Sequence, residues 1–93
     1  MSGPTESDDA KRRKRLRFRA WHRGIRETDL ILGPFADSFV DKLEHSELDD
    51  FEALLSLPDN DLHDWFTGRQ APPPHFNLAL IDRIRAHARR RTS

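Results

Sequence analysis

The five histidines, His22, His45, His63, His75 and His87, have the widest chemical reach in this chain. Imidazole can bind a metal or move a proton near neutral pH. Their placement argues against both uses. They fall in different segments, none pairs with another at the spacing of a zinc site, and Asp61, His63 and Asp64 make only a weak acid–imidazole cluster. Solvated histidines on polar faces are the simpler account. The sequence has no cysteine, which removes disulfides, thiolate metal ligands and a cysteine nucleophile. It has no nucleophile elbow, phosphate loop or dinucleotide fingerprint. Gly33-Pro34 cannot cradle phosphate, because proline lacks the amide donor. The chain is expected not to be an enzyme, to hold no metal and to bind no cofactor stably.

Two other groups of residues could act by binding. Lys11-Arg-Arg-Lys-Arg15 continues into Arg17 and Arg19, a cation density suited to phosphate contacts, with Phe18 and Trp21 placed to stack on bases. The acidic middle of the chain, from Asp37 to Asp64, and the zero net charge weigh against a nucleic-acid partner. The second group is Arg23-Gly24-Ile25-Arg26-Glu27, where a basic helical pattern gives way to an apolar one. In a structural reading Gly24 is the glycine that stops the first helix. Glu27 then complements the dipole of the next helix, and Arg23 caps the last carbonyls of the first. In a binding reading Arg23 and Glu27 project as a bidentate donor and a carboxylate, and Gly24 lets a partner approach closely. Spacing alone favours the structural reading, and the two are compatible.

Helices must position these residues. Residues 1–10 mix Gly, Pro, Ser and acids without periodicity and are expected to form a disordered tail, as are residues 91–93, leaving a single domain over 11–90. A first helix is expected from about Lys11 to His22, with Leu16, Ala20 and Trp21 on one face and Phe18 displaced from it. A second begins near Ile25 and carries Leu30, Ile31, Phe35, Phe39 and Leu43 at helical spacing, with a kink or short break at Gly33-Pro34. Ser46 is expected to cap a third helix in an imperfect capping box with Asp49, its apolar stripe being Leu48, Phe51, Leu54 and Leu55. After Pro58, Asp59 or Asn60 caps a short fourth helix bearing Leu62, Trp65 and Phe66, which Gly68 closes. Ala71 to Pro74 forms a stiff connector, and Asn77 caps a last helix with Leu78, Ile81, Ile84 and Ala88 on one face. No segment alternates as a strand would. The expectation is an all-α bundle of about five short helices, with Leu30, Phe35, Phe51, Trp65 and Ile81 in its core.

A chain of 93 residues makes one small domain. Its charge is balanced in sum but segregated, basic at both ends and acidic in the middle, which suggests a dipolar surface able to steer a partner. No apolar run approaches the roughly 20 residues that cross a bilayer. The polar, acidic N-terminus is unlike a secretory or transit signal, so a soluble cytoplasmic protein is expected; it is also expected to be a monomer.

At the Arg23 corner the sequence resembles the SdhE family, the FAD assembly factors of succinate dehydrogenase. The family's R-G-x-x-E is met by Arg23, Gly24 and Glu27, and its following aspartate and apolar run by Asp29, Leu30-Ile31-Leu32 and Gly33-Pro34-Phe35. Phe51-Glu-Ala-Leu-Leu55, the Pro58-Asp-x-Asp-Leu62 stretch, Trp65 and Gly68 extend the likeness over roughly residues 11–90. Pro34 departs from it where many relatives carry a longer polar or basic residue. The resemblance implies a five-helix chaperone that binds the flavoprotein subunit of succinate dehydrogenase, and in bacteria that of fumarate reductase, to promote covalent attachment of FAD. It places Arg23, Gly24 and Glu27, with neighbouring Arg26 and Asp29, at the docking surface. On the charge pattern and the lack of a long apolar run, no nucleic-acid partner and no membrane are expected.

Overall fold

Ser7 opens the first helix. Its side chain accepts a hydrogen bond from the Ala10 amide at 3.0 Å, and Asp8 and Asp9 sit in the first turn, where carboxylates suit the positive helix end. The computed structural model describes residues 7–92, so the expected tail over residues 1–6 and Ser93 lies outside the described residues. Five α-helices follow in order: α1 (Asp8–Trp21), α2 (Arg26–Phe39), α3 (His45–Leu55), α4 (Asp59–Thr67) and α5 (Leu78–Thr92). The fold is all-α. Helix α1 starts before Lys11 because a Ser-Asp-Asp sequence is a strong start signal, and Arg91 and Thr92 continue α5 rather than forming a tail.

Helix α2 runs unbroken through Gly33-Pro34, where a kink or break was expected. A proline ring crowds the preceding residue, and Gly33 has no Cβ to be crowded. The same missing Cβ makes room for α1: a methyl on Gly33 would lie 2.3 Å from the Trp21 ring. Trp21 is fixed over this spot by a 3.1 Å hydrogen bond from Nε1 to Asp37.

Three further local expectations change. Helix α3 is capped at Glu44 rather than Ser46, and the Glu47 carboxylate, not that of Asp49, accepts from the Glu44 amide at 2.9 Å. Pro58, not Asp59 or Asn60, stands at the N-cap of α4. Leu30 and Leu78, expected to be apolar core-face residues, are 48% and 44% exposed, and Leu80 takes the core position on α5. Gly68 does close α4, with a φ of 82°, and Asn77 Oδ1 does cap α5 by accepting from the Leu80 amide.

The core is made by Leu16 and Ala20 of α1, Leu32, Phe35 and Ala36 of α2, Leu48, Phe51, Leu54 and Leu55 of α3, Leu62, Trp65 and Phe66 of α4, and Leu80, Ile81 and Ile84 of α5. Phe35 lies at its centre, 5.8 Å from Phe51 between ring centroids. Helix α1 has only two fully buried side chains and is fastened along both flanks by its arginines. Arg12 bonds Asp49 and Glu52 of α3, Arg17 pairs with Asp37 of α2 and with Asp41 just beyond it, and Arg13 donates to the carbonyls of Val40 and Leu43 in the same stretch. Much of the charge segregated along the sequence is therefore matched in space: a basic helix lies against acidic ones.

Candidate docking site

The connection between α1 and α2 is short, and backbone demands shape it. The His22 amide donates to the Arg19 carbonyl, ending α1, and Gly24 then takes a φ of 106°. This left-handed region is strained for any side chain-bearing residue. Gly24 stands two residues beyond the cap His22, one further out than the helix-stopping glycine expected. Ile25 is extended and begins α2 without a side-chain cap. Two residues of the first turn of α2 compensate. Asp29 Oδ1 accepts the Arg23 amide at 2.7 Å, and the buried Thr28 hydroxyl donates to the Ile25 carbonyl at 2.9 Å.

The Arg23 side chain turns inward. Its guanidinium donates from Nε to Asp59 Oδ1 at 3.0 Å, from Nη1 to the Leu55 carbonyl and from Nη2 to the Leu57 carbonyl. Arg23 and Asp59 side chains are only 11% and 17% exposed. Arg23 therefore caps α3 and reaches the start of α4; it neither caps α1 nor projects as an exposed donor. The reason is geometric. The last carbonyls of α3 have no partner within that helix, and Pro58 has no N–H to offer them. A planar guanidinium presents donors in several directions at once and satisfies two carbonyls and a carboxylate together. Thr28 Oγ1, 3.2 Å from the same Asp59 oxygen, closes the cluster.

The corner thus has an inner and an outer layer. Arg23, Thr28, Asp29 and Asp59 face inward and fix the loop. Gly24, Arg26 and Glu27 are exposed, and a Cβ on Gly24 would meet nothing within 4 Å. Arg26 and Glu27 form no ion pair among the described residues. What results is a small platform: a bare glycine backbone flanked by an uncommitted guanidinium and an uncommitted carboxylate. Such groups can bond a partner without first breaking an internal contact. Asp59 and Thr28 were not legible as members of this cluster, since sequence spacing places Asp59 on another helix. Among the described residues no group of three or more His, Asp or Glu could hold a metal, and no helix is long and apolar enough to cross a membrane.

A family model described as flavinator of succinate dehydrogenase (Sdh5) matches residues 14–88, which take in the corner and nearly all of the bundle. The chain belongs to this family. An FAD assembly factor SdhE of Acetobacter pasteurianus is 41% identical over 83 residues, covering 89% of this chain and 76% of the relative. One from Vibrio cholerae is 37% identical, covering 84% of this chain and 90% of the relative. A mitochondrial succinate dehydrogenase assembly factor 2 of Dictyostelium discoideum is 34% identical over 89% of this chain. The chain spans 59% of that relative's length and 49% of its counterpart in Cryptococcus neoformans. In this Sdh5 family member the R-G-x-x-E residues divide between the two layers: Arg23 inside, Gly24 and Glu27 outside.

Proposed function

We propose that this chain docks through its Gly24 corner onto the flavoprotein subunit of succinate dehydrogenase and promotes covalent attachment of FAD to a histidine of that subunit. The observation that carries the reading is the exposed Gly24–Arg26–Glu27 platform, held from beneath by the Arg23 cluster. The family membership and the names of the relatives support the choice of partner. The fumarate reductase flavoprotein is a second substrate of the same kind. FAD belongs to the flavoprotein, and this chain holds none stably.

Such a factor needs no catalytic group. A rigid bundle that binds one arrangement of a mobile partner better than the others raises the population of that arrangement. If the favoured arrangement brings flavin and histidine together, the bond forms faster by proximity alone. The nucleic-acid reading loses ground, because Arg12, Arg13, Arg17 and Arg19 are engaged by carboxylates, carbonyls or a hydroxyl within the fold.

Covalent flavin fluorescence of the flavoprotein subunit in a denaturing gel tests the reading, with no factor, with this chain, and with its Gly24→Arg, Gly24→Ala and Glu27→Ala variants. Any side chain at Gly24 meets the same backbone strain, about 1–2 kcal/mol, but only arginine adds bulk above the platform. Flavinylation should rise with the wild type, fall strongly with Gly24→Arg and less with Gly24→Ala. Glu27→Ala should weaken it without loss of helicity by circular dichroism. Equal bands in every lane would reject the assembly role, and the same gel with the fumarate reductase subunit decides the second substrate.

A further inference from the structure

Lys11, Arg15 and Phe18 of α1 and the cap residue His22 follow one another at i, i+4, i+7 and i+11 and so form a single stripe along the helix. All four are exposed. The stripe points away from the flanks that carry Arg12, Arg13, Arg17 and Arg19, whose cations are taken up within the fold. Lys11 and Arg15 form no ion pair among the described residues. Phe18 is 63% exposed, the most of any large apolar side chain described, and it is ordered: its ring stacks on His22 with centroids 4.0 Å apart and planes 16° from parallel. His22 Nδ1 lies 2.8 Å from the Phe18 carbonyl, which can only accept, so Nδ1 carries the proton and the imidazole is locked beneath the ring. An exposed aromatic held in place by a stacked ring loses little side-chain entropy on binding. The stripe is about 16 Å long and ends at His22, one residue before Arg23.

We propose that this stripe is a second part of the docking surface, continuous with the Gly24 corner, and that it receives an acidic surface segment of the flavoprotein subunit bearing an apolar contact for Phe18. The proposal rests on the docking role given above. Charge complementarity selects an acidic partner, since Lys11 and Arg15 are cations with no carboxylate partner among the described residues. Continuity with the corner selects a protein over a nucleic acid, because Glu27 at the same end would repel phosphate.

The test is the affinity of the intact chain for the purified succinate dehydrogenase flavoprotein subunit, measured by calorimetry at about 50 and about 300 mM salt, across which exposed charges pass from weakly to strongly screened. The variants are Lys11→Glu/Arg15→Glu, Phe18→Ala, Glu27→Ala, and Arg69→Glu on the far side of Gly68 as a charge-reversal control. The double reversal should weaken binding about tenfold or more at low salt and flatten the salt dependence. Phe18→Ala should cost about fivefold or more at both salts, and Arg69→Glu should stay near the wild type. If both stripe variants bind like the wild type while Glu27→Ala fails, the stripe is a solvated face and only the corner docks. If the wild type itself does not bind, the docking role falls and the stripe with it. A gel shift of labelled DNA that the double reversal removes, with flavoprotein binding unchanged, would overturn the proposal in favour of nucleic acid.

Discussion

Arg23 and Glu27 bracket one glycine yet do different work. Glu27 is exposed and uncommitted, so its loss should change stability little while weakening docking. Arg23 satisfies two carbonyls and a carboxylate across three elements, so its loss should act through the fold. Arg23→Ala leaves Asp59 poorly paired and the end of α3 uncapped, and should cost about 3 kcal/mol, in line with breaking a largely buried ion pair. Arg23→Lys keeps the charge but not the planar fork and should recover only part of that. Urea denaturation midpoints of the two variants measure this. If Arg23→Ala unfolds at the wild-type midpoint yet fails to dock, Arg23 acts at the interface rather than beneath it. The sequence makes both residues visible but not their directions, because spacing along a chain cannot say which neighbouring element a long side chain reaches.

At the level of elements, the readable features were those that a few adjacent residues decide. Gly68 ends α4 and Asn77 starts α5 because a left-handed residue and a side-chain amide act locally. What escaped is decided between helices. Pro34 reads as a break until α1 is laid against α2, where Gly33 relieves the crowding and Trp21 covers the gap. Leu30 reads as core until the folded bundle shows it 48% exposed. The contact at Gly33 makes a sharp prediction. A methyl there meets the Trp21 ring well inside van der Waals distance, so Gly33→Ala must push α1 from α2 and should destabilise the fold by about 1–3 kcal/mol. Trp21→Ala combined with Gly33→Ala should recover part of that loss by removing the obstacle, as measured by thermal unfolding of the single and double variants. Additive losses would show that the ring and the glycine are not in the contact described.

The bundle as a whole is held by a modest core and by ion pairs that bind α1 to α2 and α3, and the two ends of α1 are secured differently. The corner end is held by Arg23 and Asp59. At the opposite end, beside the contacts of Arg12 and Arg13, Asp9 bonds Arg13 at 2.8 Å and lies 3.0 Å from His45 Nε2. The Arg13 hydrogen bond outweighs an opposing effect of desolvation and, with the Arg13 charge and His45, holds the Asp9 carboxyl below its usual value. A carboxylate with a lowered folded-state pKa contributes stability above its unfolded value, about 3.9. That contribution disappears as pH falls through the lowered value. Asp9→Asn should therefore be less stable than the wild type near neutral pH, and the difference should shrink toward zero in acid below about pH 4. Denaturation midpoints of the two proteins across this range measure it, and a difference that does not change with pH would mean that the Asp9 charge contributes nothing. Acid would loosen α1 from the end remote from Gly24, because Arg13 still holds the Val40 and Leu43 carbonyls and Arg23 still fixes the corner. Hydrogen exchange in mild acid should accordingly rise first at the N-terminal turns of α1, with Thr28 and Asp29 protected longest.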